Sequence, residues 1–267
     1  MAVTETSGLL TENPSAPRDS ALFRYVLYQA DDNLVLAQRM SAWISRAHDL
    51  EEDIALANIA LDLLGRARML LEYAGKLEGK CRTEDELAMF RSEREYTNLL
   101  LVEQPNGDFA YTMVRQFFFD AYQLGLWKAL ADSKDTTLAA IAGKALKEAR
   151  YHLRHSSGWL VRLGDGTRES HRRTRQAVEE LWRFVPEMFE SEETCDRLAE
   201  AEVAVSPSQL RPAWIRRVRD TFSSAGLQIP GDRFSRSGGR SGFHTEHLGY
   251  LLAEMQWMQR SYPGMQW

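Results

Sequence analysis

Apolar residues recur at helical spacing from Leu22 to Ile44, at Val26, Ala30, Leu34, Ala37 and Ile44, which predicts a first long helix. His48-Asp49-Leu50 makes a short turn, and a second helix is predicted from about Glu51 to Leu77, ahead of Gly79. Thr83-Glu84-Asp85-Glu86 spells a capping box for a shorter helix. The run Glu103 to Asp108 is turn chemistry, and Asp108 is a suitable N-cap for a third long helix reaching about Leu130. A fourth runs from Leu138 to Leu163 and closes on Gly164-Asp165-Gly166. Further helices are predicted near Thr174–Phe189 and near Ser206–Ser223, the latter opened by Ser206-Pro207 as N-cap and N1. The glycine-rich stretch Ser235–Gly242 precedes a last helix from His244 to about Gln259. No segment keeps a period of two for long. The expected fold is all-α, a four-helix bundle with additional C-terminal helices. Residues 1–19 are expected to be a disordered tail, and 20–267 a single domain.

The polar residues inside these patterns are more telling. From Ile54 to Leu64 every residue is apolar except Asn58 and Asp62, which lie four apart and are continued by Arg66. A helix apolar nearly all round is buried, so this row is expected inside the bundle. The third helix repeats the arrangement with Thr112, Gln116 and Asp120 among Phe117, Phe118, Phe119, Tyr122 and Trp127, and the fourth offers Glu148, His152 and His155. Buried charges must be paired or metal-bound, because an isolated one costs several kcal/mol. A central polar network of Asn58, Asp62, Arg66, Gln116, Asp120, Glu148 and His152 is therefore expected. A carboxylate-bridged iron pair in such a bundle takes Glu-x-x-His from two helices and a lone carboxylate from each of the others. Here the two corresponding pairs read Leu63…Arg66 and Ala149…His152, and no Glu or Asp in the chain is followed three residues later by His. With His152 the one imidazole of the set and Arg66 beside Asp62, the network reads as ion pairs and hydrogen bonds rather than as a metal site.

Composition narrows the function classes. The chain has 267 residues and a formal charge of -5, enough for one large core and no electrostatic reason to expect nucleic acid or an anionic membrane. Cys81 and Cys195 match no metal or redox spacing, so a reduced, cytoplasmic setting is expected. No apolar run spans a bilayer and no signal peptide is recognisable. His244 and His247, with Glu246, have ligand-like spacing, but no third partner is visible, and a structural or interface role is expected. Gly238-Gly239-Arg240-Ser241-Gly242 has the amides to cradle a phosphate but lacks the Lys-Ser/Thr of a P-loop, so it reads as a mobile loop. Arg168, His171, Arg172, Arg173 and Arg175 form a basic helix start, read as a solvated face.

The stretch Trp43-Ile44-Ser45-Arg46-Ala47 leading to Asp62 and Gly65 resembles the di-iron catalytic subunit of phenylacetyl-CoA epoxidase, a ferritin-like monooxygenase. From about Tyr25 to Trp267 the chain is closer still to the non-catalytic scaffold subunits of that enzyme family, through Ala55–Gly65, Asn98–Gly107, Lys147–Arg154 and His244–Gly249. The resemblance implies a ferritin-like fold and a non-catalytic role, with the ligand positions of the catalytic relative falling at Met40, Leu63, Arg66, Asp120, Ala149 and His152. Only Asp120 and His152 keep a ligating side chain, so no catalytic residue, metal or cofactor is expected in this chain. The resemblance places the di-iron centre in a catalytic partner, and NADPH, flavin and an iron–sulfur cluster in a reductase. It also implies a small accessory subunit, and phenylacetyl-CoA at the subunit interface. Glu95, Tyr96, Thr97 and Asn98, with Asp196, Arg197 and Leu198, are implied to lie beside the thioester. The alternatives are a stand-alone ferritin-like metalloenzyme using His152, Asp120 and Glu148, or a helical adaptor without an oxygenase partner.

Overall fold

The computed structural model describes residues 16–231 and 234–265, of which 16–20 by backbone alone. Four long helices dominate: α1 (Ala16–Ser41), α2 (Leu50–Glu78), α5 (Phe109–Leu130) and α6 (Thr136–Gly164). Between them lie the short α3 (Glu84–Met89) and α4 (Leu100–Glu103); α7 (Arg168–Leu181), α8 (Glu193–Glu200), α9 (Pro207–Ser224) and α10 (Glu246–Ser261) follow. There is no strand among the described residues. α1 packs along α2 and α5 along α6, two hairpins joined mainly where α2 meets α6. This is the ferritin-like arrangement with extra helices that the periodicity and the resemblance lead one to expect.

The caps act where the sequence places them. Asp49 accepts from the Glu52 amide and Asp108 from the Tyr111 amide, each at 2.9 Å, which satisfies an orphan donor of α2 and of α5. Thr83 and Glu86 form the reciprocal capping box of α3. The boundaries shift where backbone chemistry intervenes. α1 stops at Ser41, three residues short of Ile44, and the turn that follows puts Ser45 at φ 66°. Pro186 lacks an amide proton, so the stretch expected to be helical to Phe189 ends as two 3-10 turns after Leu181. α8 had no sequence counterpart. Of the expected N-terminal tail, residues 16–19 are helical and belong to α1, and residues 1–15 lie outside the described residues.

The two helices that read as apolar all round have different fates. α5 is enclosed: Phe117, Phe118 and Phe119 are all buried, and α7 and α9 close its outer side. Trp214 of α9 donates from its indole to the Phe118 carbonyl at 2.9 Å, and Trp182, Trp214 and Phe222 pack against the Phe118 ring. α2 is not enclosed. Leu50, Ile54, Leu61 and Leu64 stand in solvent, Leu61 with 64% of its surface, and Asn58 on the same side is exposed. Among the described residues no accessory helix crosses that face, so the expectation that Asn58 joins a buried network fails.

Candidate functional site

Where a ferritin-like relative would hold metal, α2 and α6 meet through side chains that bond to one another. Arg66, 1% exposed, donates from Nε to Glu148 Oε2 at 2.9 Å and from Nη2 to His152 Nδ1 at 3.1 Å. Because guanidinium only donates, Nδ1 accepts, and the ring proton lies on Nε2, which donates to Asp62 Oδ2 at 3.0 Å. That hydrogen bond, against the cost of partial burial, holds the Asp62 carboxyl below the usual carboxylate range. On the same face of α6, one turn beyond His152, Ser156 Oγ donates to Asp120 of α5, which also accepts from Gln116, both at 2.7 Å. Burial pushes Asp120 up, and these neutral donors offset it only in part.

The network expected from the sequence therefore exists with one member lost and the pairing changed. Within that expected network Asp62 and Asp120 are both acids open to pairing with Arg66. Its direct partner is Glu148, it reaches Asp62 only through His152, and Asp120 is served by Gln116 and Ser156. The reason is packing: Glu148, His152 and Ser156 form one row on α6, and α2 meets that row at Glu148 and His152 while α5 meets it at Ser156. Ser156 lies four residues beyond His152 and continues the Glu148–His152 row, which is the sequence signal that points to it.

These residues do not fit a metal pair. Met40, Leu63 and Ala149 are buried and offer a thioether or nothing. His152 has one lone pair, and a guanidinium occupies it. A buried cation at the centre of the layer repels a second one. A further buried cation, Arg115, donates to the Gln104 carbonyl, to Asn106 Oδ1 at 2.7 Å and towards Met40 Sδ at 3.8 Å. With burial and neighbouring Arg39 both acting against its charge, Arg115 is pulled down to about 9. His155, next on α6, bonds to Glu52 at 2.8 Å instead of joining the layer.

A second polar system ties the C-terminal part to the bundle, and sequence reasoning missed most of it. Asp31 and Asp32 of α1 are both fully buried and point to different neighbours, as adjacent helical residues must. Asp31 pairs with Arg91, and Asp32 with Arg240 at 2.8 Å. Glu187 accepts the amides of Gly238 and Gly239 at 3.0 and 2.8 Å and that of Leu100 at 2.7 Å. The glycine-rich loop thus cradles an anion, but the anion is a carboxylate of its own chain. This corrects the reading of a mobile loop: a Cβ at Gly239 would lie 2.1 Å from the Asn98 carbonyl, so the loop is packed too closely for any side chain there.

His244 lies in this system with its side chain wholly enclosed. Its Nδ1 faces Glu103 Oε2 at 2.8 Å and its Nε2 the Tyr96 carbonyl at 2.9 Å. Both partners are acceptors, so both nitrogens carry protons and the ring is an imidazolium paired with Glu103. Glu103 also accepts from Thr245 and Asn98. The His244/His247 spacing is structural, as expected. His247 is half-buried, and its carbonyl takes a bond from Arg39.

The residues expected beside a thioester are differently placed. Tyr96 and Asn98 are 0% exposed, and Asn98 spends its amide nitrogen on Leu99 and Glu103. Thr97 bonds Asp31, and Glu95 caps Ser92. Leu198 is buried, Asp196 accepts from Ser191, and Arg197 is solvated beside Glu193. Asn98, Tyr96 and Leu198 therefore present no side chain for a ligand, a correction that follows from their burial. Arg172 and Arg173 bond Glu169 on their own exposed face, as a solvated helix start should.

An all-α bundle of the ferritin-like type, with an ion-paired polar layer where α2 meets α6, is what fold and site define. The chain belongs to the phenylacetic acid catabolic protein family, whose model matches residues 10–267. It is 52% identical over 246 residues to the C subunit of 1,2-phenylacetyl-CoA epoxidase from Escherichia coli strain K12, spanning 92% of this chain and 99% of that protein.

Proposed function

We propose that this chain is the non-catalytic scaffold subunit of a multicomponent phenylacetyl-CoA epoxidase, pairing in the cytoplasm with a di-iron catalytic subunit. The observation that carries this reading is the Arg66–Glu148 and His152–Asp62 network, which fills the positions of metal ligands with a cation and its partners. In this reading the iron belongs to the partner, and NADPH, flavin and iron–sulfur centres belong to a reductase that feeds it; a small accessory subunit completes the assembly. The exposed apolar stripe of α2, Leu50, Ile54, Leu61 and Leu64, supports the pairing, since a face of that kind is what an obligate partner covers. An obligate interface of this kind buries more than about 2,000 Å².

The test is anaerobic loading of the isolated chain with Fe(II), desalting and elemental analysis, together with reconstitution. The expected result is no stoichiometric iron, and epoxidation only when the di-iron subunit is added. Two irons retained per chain would replace this reading with that of a stand-alone metalloenzyme. Failure to associate with any di-iron subunit would leave a helical adaptor.

A further inference from the structure

Between α6 and α9 lies an open groove of about 300 Å³, lined by Arg150, Arg154 and Ser157 of α6, Arg217 and Thr221 of α9, and the apolar Leu124 and Leu153. Arg150 and Arg154 are four apart on one helix and so share a face, and Arg217 approaches from the opposite wall. Among the described residues no carboxylate lies within ion-pair distance of any of the three. Arg154 finds only the Tyr151 ring, 5.5 Å from its guanidinium carbon. Some arginines elsewhere on this surface do find acids: Arg68 pairs with Glu72, and Arg172 and Arg173 with Glu169. α9 carries Arg211, Arg216, Arg217 and Arg219 against the single acid Asp220, in a chain whose formal charge is -5. Like charges gathered without a counter-charge repel, and an anion seated among them relieves that repulsion.

We propose that the α6–α9 groove binds a phosphate-bearing anion, clamped by Arg150, Arg154 and Arg217. Guanidinium presents parallel N–H donors that match phosphate oxygens two at a time. One carboxylate satisfies one such fork; a phosphate or diphosphate has oxygens enough for three. The hydroxyls of Ser157 and Thr221 add donors at the edge. Ser157 at present makes only a long 3.3 Å bond to the Arg154 carbonyl, which it can give up. The groove is open to solvent, so a larger carrier can seat its phosphoryl groups there and leave its remainder outside. The inference does not depend on the scaffold role proposed above.

The test is calorimetric titration of the full chain at low salt with two probes, inorganic pyrophosphate and adenosine 3′,5′-bisphosphate. Saturable binding with a Kd below about 1 mM is expected, weakening as salt is added. R150Q/R217Q should weaken it by about tenfold or more, since charge-assisted hydrogen bonds are lost, with the thermal midpoint unchanged because both side chains are exposed. R154K, which keeps the charge and loses the fork, should fall between, and R68Q should bind like the parent. Tighter binding of the bisphosphate identifies a nucleotide-bearing source, and equal binding identifies the phosphates alone. Absence of saturable binding of either probe, or equal affinity in R150Q/R217Q, overturns the proposal.

Discussion

Arg66 brings a full charge into a layer closed to solvent, and its effect depends on Glu148 and His152 together. Removing one side of a buried pair strands the other, at about 3–5 kcal/mol when both are enclosed. Glu148 retains some access to water, with 18% of its side chain exposed, so Arg66→Leu is expected to cost about 2–4 kcal/mol in urea unfolding. An unchanged midpoint would mean the pair contributes nothing. His244 supplies a pH dependence. Burial opposes its charge, but the Glu103 hydrogen bond and charge outweigh that and hold the imidazolium above the usual histidine value. A raised folded-state pKa gives stability that is complete below about 6.5, the unfolded value, and is lost as pH rises through the folded one. Stability should therefore decline as pH rises above about 6.5, and His244→Gln should flatten that decline. At the acid end Asp62 works the other way: its folded pKa is lowered, so its contribution is present above about 3.9 and lost as pH falls through the folded value.

At the scale of elements, α2 and α5 have similar apolar runs, yet only α5 has α7 and α9 over its outer side. The bare face of α2 gives a sharp expectation if it is the partner surface. Leu61→Glu with Leu64→Glu should leave the isolated chain folded, within about 0.5 kcal/mol, because these side chains already stand in water. The same double variant should abolish co-purification with the di-iron subunit. Retained co-purification would move the interface elsewhere. The segment Glu95–Gln104 is largely enclosed by this chain. Asn98→Ala should then act on folding, by removing a donor to the buried Glu103, at about 1–3 kcal/mol. Arg197→Ala should be neutral in stability. If Asn98→Ala instead raised only the Michaelis constant of a reconstituted complex, the enclosed position described for Asn98 would be wrong.

Across the whole molecule, local signals carried far. Helical periodicity, the capping box at Thr83 and the caps Asp49 and Asp108 are properties of neighbouring residues, and each is realised in the structure. Long-range pairing was not legible in that way. Nothing near Arg66 in the chain tells Glu148 from Asp120 as its partner, because the choice is made by which helices lie side by side. Asp31 and Asp32 look like surface residues of α1 until Arg91 and Arg240, far along the chain, close over them. Gly239 and Glu187 meet only because the C-terminal segment folds back on the bundle. The burial of Asn98 has the same origin. The sequence by itself determined the helices, their caps and the bundle, since these depend on spacing within one turn or two. Tertiary structure alone decided which charge answers which, and which apolar face was left uncovered, because burial is a property of what packs on a helix and not of the helix.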